Sequence, residues 1–414
     1  MGDEMILNIA PDGWQTKETI IKVIGVGGGG CNAVSQMYRD GINDVDFMVC
    51  NTDSQSLIDS PVLDKFSLGE GLGAGCRPDV ARTKAIDKSE EIKERLSDGT
   101  KMLFITAGMG GGTGTGASPV IAKIAKEMGI LTIGVVTQPF RDEGTEFLRR
   151  AYEGIVELSK HVDSLLIIDN QKIYDIYGDL SILEALPKAD SVLKTAVKGI
   201  AEIITGHGYI NVDFADVKMV MKDSGFAIMG SGQAKGANRA RNAVERAFTS
   251  PLIKDYSLRS AKNVLINITS SKVEALRASE MEQIIKYVTE YTGNPFNFKR
   301  GIAFDDSMEP GAISVTIVAT GILVNLTPPP MFQKERDMGE EVDLDENEIT
   351  VKQNPEPNNN ELAIKLSPFN MATTTIYKPG VNIIDMENET AYARRLRKEE
   401  ELRKQEEELH LNIH

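Results

Sequence analysis

Two glycine-rich runs stand where an apolar segment hands over to an amphipathic one. Gly25-Val26-Gly27-Gly28-Gly29-Gly30 follows the apolar start Ile21–Val26 and precedes a helical pattern at Cys31–Asp40. It satisfies GxGxxG, whose glycines let the backbone turn tightly and approach a phosphate lying on a helix N-terminus. Asp53 lies at the separation at which a carboxylate holds a ribose in a dinucleotide site. A second run, Gly108-Met109-Gly110-Gly111-Gly112-Thr113-Gly114-Thr115-Gly116, lies between the strand pattern Met102–Thr106 and the helical Ser118–Met128. Its amides can form an anion-binding nest, to which Thr113 and Thr115 add hydroxyl donors. Two such loops fit a polyphosphate better than the single pyrophosphate of NAD. Neither ends in Lys-Ser or Lys-Thr, so this is not a Walker P-loop, and the phosphates are left to backbone amides and helix dipoles.

A third cluster is Asn211-Val212-Asp213-Phe214-Ala215-Asp216. Asn or Asp ahead of a helical run is a common N-cap, a role open to Asp213 and to Asp216. Two carboxylates in four residues exceed what one cap requires. They lie beyond a long helical stretch from the glycine loops, so nothing obliges them to meet a nucleotide in the same subunit.

These residues need a scaffold, and the pattern around them supplies one. Strand-like runs at Ile21–Val26, Asp46–Asn51, Met102–Thr106, Leu131–Thr137 and Ser164–Ile168 alternate with helical patterns at Cys31–Asp40, Pro78–Leu96, Ser118–Met128 and Glu146–His161. This is the signature of βαβ units in a doubly wound, Rossmann-like parallel sheet, whose ligands bind beyond the carboxyl ends of the strands. A long helix over Leu180–Thr205 ends at Gly206-His207-Gly208 and connects to a smaller α+β domain. That domain reads as helix Val217–Lys222, strand Phe226–Ser231, helix Asn238–Phe248, strand Asn263–Thr269, helix Ser279–Thr292 and strands Gly301–Phe304 and Ile313–Ala319.

Composition bounds the rest. The 414 residues allow two or three domains, and 41% hydrophobic with 26% charged residues marks a globular chain. A net charge of −15 argues against a nucleic-acid partner. No run approaches the roughly 18 apolar residues of a membrane span, and the acidic start lacks an export signal, so a cytoplasmic location is expected. Cys31, Cys50 and Cys76 are odd in number and never spaced as CxxC, which predicts reduced thiols and no zinc site. His161, His207, His410 and His414 show no metal-ligand spacing, so no protein metal site is expected, and Trp14 lies in an N-terminal extension. Residues 331–390 carry net −8 with much Asn and Pro, too little apolar material for a core. As a flexible tether it would reach about 40 Å.

The order and spacing of GVGGGG, Asn51-Thr52-Asp53, GGGTGTG at Gly110–Gly116 and Asn211–Asp216 resemble the tubulin/FtsZ family over about residues 20–321. The resemblance implies an N-terminal extension (1–19), a GTP-binding domain (20–179), a connecting core helix (180–210) and a C-terminal activation domain (211–321). A disordered acidic linker (322–388) and a docking peptide with a charged tail (389–414) would follow. It also implies that Gly28, Gly29, Gly30 and Asn32, with Gly111, Gly112, Thr113 and Gly114, bind the phosphates of GTP or GDP. Ala74 and Gly75 would lie near the γ-phosphate, Glu143 would contact the ribose, and Asn170 and Asp190 would read guanine. A carboxylate can accept from both N1–H and the exocyclic amine of guanine, which adenine cannot match. Mg²⁺ is expected to arrive on the phosphates. Two positions depart from the family: Phe147 stands where an arginine is usual, with Arg149 or Arg150 as candidate substitutes, and Leu186 where an aromatic commonly packs on the base.

In such proteins the Asn211–Asp216 loop enters the nucleotide site of the next subunit, where Asp213 and Asp216, with Asn211, act on the attacking water. The expected function is therefore a polymerisation-dependent GTPase forming a head-to-tail cytoskeletal filament and a mid-cell division ring. Membrane-tethering partners would dock on residues 389–396, a segment whose bland reading is a charged solvated helix. Two other classes compete: an NAD(P)-dependent Rossmann oxidoreductase, which uses Gly25–Gly30 and Asp53 but leaves the other two clusters idle, and a nucleotide-gated scaffold with negligible turnover.

Overall fold

Every residue of β1 (Ile21–Val26) is buried, and its alternation sends Ile21 and Val23 into one core and Ile24 and Val26 into another. A strand covered on both faces belongs to a helix-sandwiched parallel sheet. The computed structural model describes residues 19–42, 44–172, 182–206, 208–249 and 258–322, of which 182–190 by backbone alone. All belong to one compact unit. The linker and docking peptide beyond Ile322, the N-terminal extension with Trp14, and His207, His410 and His414 lie outside the described residues.

The first half is β1, α1 (Gly27–Asp40), β2 (Val45–Asn51), α2 (Ser54–Asp59), β3 (Asp64–Ser67), α3 (Pro78–Asp87), α4 (Ser89–Leu96), β4 (Met102–Gly108), α5 (Thr113–Glu127), β5 (Leu131–Gln138), α6 (Thr145–Ser159) and β6 (Ser164–Asp169). Its strands lie in the order β3-β2-β1-β4-β5-β6, all parallel. This doubly wound order places its topological switch point between β1 and β4. α7 (Ile182–Thr205) packs Leu193, Ala196, Val197 and Ile200 into the core that holds Ile21 and Val23. On the other face α5 and α6 bury Ile121, Ala125, Ile155 and Leu158.

The second half comprises α8 (Phe214–Met221), β7 (Gly225–Lys235), α9 (Arg239–Phe248), β8 (Asn263–Ser270), α10 (Ala278–Thr292), β9 (Asn297–Phe304) and β10 (Ala312–Ile322). β7 runs antiparallel to β10, β10 antiparallel to β8, and β8 parallel to the edge strand β9. The ten strands form one sheet, and within it the two halves are joined where Ser164 and Leu165 of β6 pair with Gly225 and Phe226 of β7. Among the described residues no helix is long and apolar enough to cross a membrane.

Three of the differences from the sequence expectation have a clear local cause. The single helix expected over Pro78–Leu96 is broken at Lys88, where the Ser89 hydroxyl donates to the Ile86 carbonyl and competes with the helical ladder. β7 continues past Ser231 to Lys235 because β10 pairs with it as far as Ala312. β9 begins at Asn297 rather than Gly301, so Lys299 and Arg300 are strand residues, paired in register with Leu265 and Ile266.

Candidate functional site

The carboxyl ends of β1, β4, β5 and β6 converge on a cavity of about 330 Å³. It is lined by Gly28, Gly29, Gly108, Met109, Gly111, Gly112, Thr113, Gly114, Thr137, Pro139, Glu143, Phe147 and Asn170. Two helices begin here. α1 starts at Gly27, within the first glycine run, and α5 starts at Thr113, within the second; neither has a side-chain cap or an acidic residue in its first turn. Their first N–H groups and the positive ends of both dipoles therefore remain available to an anion. Among the described residues the cavity lining contains no Lys or Arg, so these amides are its principal positive feature.

The glycines divide their labour. Gly28 and Gly29 are exposed and line the cavity. Gly30 lies beneath, where an added Cβ would sit 2.3 Å from the Thr106 carbonyl oxygen, so its role is to let α1 pack on β4. Gly110 holds φ +106°, and a Cβ there would stand 2.3 Å from Cδ1 of Phe147. Gly110→Ala would thus combine a left-handed backbone penalty of about 1–2 kcal/mol with that collision. Nucleotide affinity should fall by about tenfold or more, measured by equilibrium binding of a labelled nucleotide.

The threonine hydroxyls expected to reach the ligand brace the loops instead. Thr113 Oγ1 shares a 2.7 Å hydrogen bond with Thr52 Oγ1, and Thr115 Oγ1 accepts from the Gly110 N–H at 2.9 Å. Thr52 also accepts from the Gly73 N–H at 2.9 Å, which hangs the segment carrying Ala74 and Gly75 beside the second glycine loop.

At the other end of the cavity, the Glu143 carboxylate accepts from the Phe140 N–H at 2.8 Å, which fixes it at the rim. Asn170 follows β6, and its Oδ1 is buried without a hydrogen-bond partner among the described residues. A buried unpaired carbonyl oxygen costs about 1–3 kcal/mol, so this atom marks where a ligand donor belongs. Asn32 falls elsewhere, in a polar depression with Ser35, Gln36, Arg39 and Asp53. Asp190 lies on α7 and Leu186 with it; their side chains are outside the described residues.

Phe147 presents its ring to the cavity, and neither neighbouring arginine replaces the missing cation there. Arg149 is held by Glu146 and Glu153 at 2.6 Å each, and Arg150 lies 5.2 Å above the Phe147 ring and donates to the Cys76 carbonyl. Arg149 in turn keeps the Glu146 carboxyl below its ordinary range. All three cysteines are free. Burial pushes the Cys31 thiol up to about 12 and raises Cys50 as well, so both stay protonated core residues. His161 sits 3.4 Å from Glu157, a local pairing on α6.

The acidic cluster is not at this cavity. Asp213 is the N-cap of α8, its Oδ1 accepting from the Asp216 N–H at 2.7 Å, and Asn211 accepts from the Gly208 N–H at 2.6 Å. Asp216 leaves its carboxylate 2.6 Å from Lys299 Nζ. Four residues after α8, Gly225 pairs with the first residue of β6, and the Ser224 and Gly225 amides donate to the Asp163 carbonyl. The cluster therefore lies toward the amino ends of the strands, whereas the cavity opens at their carboxyl ends. α7, with 24 residues and a length of about 36 Å, carries the chain between them.

Sequence reading located the glycine loops and missed Thr137, Pro139 and Met109 as lining residues. Thr137 was findable from its place at the carboxyl end of β5. The dinucleotide reading fails on Asp53, which caps α2 by accepting from the Gln55 N–H at 3.1 Å and lines the other depression.

Comparison with known proteins agrees with this geometry. Residues 20–178 match the Tubulin/FtsZ family, GTPase domain, and residues 225–323 match the FtsZ family, C-terminal domain. The chain is 48% identical to the cell division protein FtsZ of Wigglesworthia glossinidia brevipalpis over 318 residues, 76% of this chain and 82% of that one. It is 46% identical to the Pseudomonas aeruginosa protein of the same name over 331 residues, 79% and 82% of the two chains. An empty FtsZ dimer structure from M. jannaschii, 38% identical, superposes with a TM-score of 0.69 over 76% of this chain and 92% of that one. Neither an oxidoreductase nor a non-hydrolysing scaffold is supported by these matches, and the chain belongs to the tubulin/FtsZ family of GTPases.

Proposed function

We propose that this chain assembles head to tail into a filament and hydrolyses GTP at each contact, the carboxylates of one subunit acting on the nucleotide of the next. What supports this is that the cavity lies at the carboxyl ends of β1, β4, β5 and β6 while the acidic cluster lies apart from it, toward the amino ends. The cavity offers amides and helix dipoles to phosphates, and among its described lining residues Glu143 is the one acid, which we place at the ribose. The acids that could orient a water stand at the far edge, on the loop leading into α8. Phosphoryl transfer depends mainly on positioning and charge stabilisation, so either half alone should be slow. Two unlike surfaces meeting head to tail without a closing rotation generate an open filament.

In this reading the amides of Gly28, Gly29 and Gly111–Gly114 hold the phosphates, and Ala74 and Gly75 border the γ-phosphate. Gly30 supports this loop from behind, while Asn32 stands on α1 at the edge of the neighbouring polar depression. Mg²⁺ arriving with the nucleotide would be held through its phosphates and would supply charge neutralisation there. Glu143 faces the ribose, while Asn170 Oδ1 and Asp190 receive the donors of guanine. Asp190→Asn replaces one acceptor by a donor and should reduce the preference for GTP over ATP by about tenfold or more, read from competition binding.

The test of the whole reading is the GTPase rate per molecule against protein concentration, with light scattering on the same samples. A rate that is negligible below a critical concentration and rises with scattering supports the shared site; a constant rate per molecule overturns it. The names of the relatives point to cell division, and we assign the filament to the division ring at mid-cell, with residues 389–396 as the docking peptide for membrane-tethering partners. Tyr392 and Leu396 supply apolar anchors and Arg394 and Arg395 the charge that such a peptide needs.

A further inference from the structure

We infer that Lys299 is a positioning residue of the half-site that each subunit donates, fixing the Asp216 carboxylate and partly cancelling its charge as it meets the next subunit's triphosphate. The inference deepens the proposed trans hydrolysis and rests on it.

Lys299 stands on β9, an edge strand whose outer side is not bare. The loop ahead of Asn211 pairs with it: Ile302 N–H donates to Ile210 O at 2.9 Å, and Tyr209 N–H donates to Ile302 O at 2.8 Å. Gly208 permits this approach, since a Cβ there would lie 2.4 Å from the Ile302 carbonyl oxygen. The acidic loop and β9 are thus one surface. From that strand Lys299 Nζ reaches Asp216 Oδ1 at 2.6 Å, with 39% and 27% of the two side chains exposed. The hydrogen bond to Asp216, and then the fields of Asp216 and Asp213, hold the ammonium above its usual range, so it remains charged.

A lysine on an edge strand commonly serves only to deter pairing with other chains, with its ammonium in water. Here the ammonium is committed to a carboxylate at the distance of a charge-assisted hydrogen bond. The electrostatics explain the use. Asp213 and Asp216 must approach polyphosphate oxygens, and the described lining of the receiving cavity holds no Lys or Arg, with the Phe147 ring in its wall. Like charges meeting in a site from which water is excluded repel strongly. An ammonium travelling with Asp216 lowers that repulsion and restricts the carboxylate to one orientation. A pair this exposed contributes little to folding, so its removal should leave the fold intact.

The test compares Lys299→Met and Lys299→Arg with the unaltered protein, measuring critical concentration, KM for GTP and turnover per assembled subunit. In Lys299→Met, turnover should fall by about tenfold or more, the cost of misplacing a positioned group, with KM within about twofold. Lys299→Arg should recover at least about half of the rate, since an arginine also pairs with a carboxylate. Turnover in Lys299→Met equal to or above that of the unaltered protein, or a Lys299→Arg protein as slow as Lys299→Met, overturns the inference. If Lys299→Met does not assemble alone, copolymers with the unaltered protein read the same quantity: a rate falling with the fraction of variant supports the role, and an unchanged rate overturns it. Failure of the underlying reading looks different, because the unaltered protein itself would then hydrolyse GTP independently of concentration.

Discussion

Asp216→Ala should bind GTP like the unaltered protein and lose about 10²–10⁴-fold of its polymer-dependent hydrolysis, the range contributed by one positioned acid or base. The binding result follows from topology. Asp216 lies at the edge of the sheet opposite the cavity, on α8, and its contacts are to Lys299 and, through its own N–H, to Asp213. Nothing in the cavity leans on it. Asp213 caps α8 and should fall in stability as well as in rate when replaced, a loss of about 1 kcal/mol, so Asp216 is the cleaner of the two variants. The decisive measurement is in mixtures. An Asp216→Ala subunit still offers a complete cavity, so its nucleotide should be hydrolysed whenever an unaltered subunit supplies the acids. Mixed with a variant whose cavity is disabled, it should regain activity that neither shows alone. Loss of GTP binding in Asp216→Ala would sink the trans assignment.

The second large effect concerns a buried guanidinium that ties together the second half of the chain. Arg239 is 6% exposed, at the start of α9. Its Nε and Nη2 grip Glu280 of α10 at 2.7 Å each, Nη1 donates to the carbonyls of Glu274 and Gly311 at 2.8 and 2.9 Å, and Nη2 donates to Ala275 O at 3.1 Å. One guanidinium therefore ties two helices to the start of β10. Arg239→Met strands a mostly buried carboxylate and three carbonyls, and should destabilise the protein by about 3–5 kcal/mol, read from denaturant unfolding of the GDP-bound protein below its assembly concentration. Replacing Arg239 and Glu280 together by apolar residues should cost less than the single change. Acid adds a signature. The hydrogen bond from Arg239, despite burial, holds the Glu280 carboxyl below its usual range. Its contribution is complete above the unfolded value of about 4.3 and disappears as pH falls through the lower folded value. That acid-side loss should be absent in Arg239→Met.

Much of the scaffold was legible because its strands are buried on both faces. Ile21–Val26 and Leu131–Thr137 are nearly unbroken β-branched runs, and no alternative packing would hide them. The omissions lie at the sheet's two edges. β3 reads Asp-Lys-Phe-Ser, and the first half of β9 reads Asn-Phe-Lys-Arg, polar sequences that edge strands carry and that pattern reading takes for loops. The glycine loops were legible as phosphate cradles because so many consecutive glycines have few other uses. Which of them faces the cavity was not, since Gly30 and Gly110 are required by neighbours distant in sequence, Thr106 and Phe147. The hydroxyls of Thr113 and Thr115 were assigned to a ligand because composition cannot show that Thr52 and Gly110 claim them first. The Lys299–Asp216 pair was invisible for the same reason: 83 residues separate its members, and only the pairing of Ile210 with Ile302 brings them together.

The separation of cavity and acids by the length of α7 has a consequence for a filament built on it. On the proposed head-to-tail arrangement its two tips are chemically unlike: one would display the nucleotide cavity and the other the acidic loop with Lys299. Every nucleotide between the tips is capped by a neighbour. Spent nucleotide can then be exchanged at a single tip, while interior subunits keep theirs until a contact breaks. Such a polymer carries a record of its own age along its length, oldest where it was first laid down, and its direction of growth is written into each subunit before any two have met.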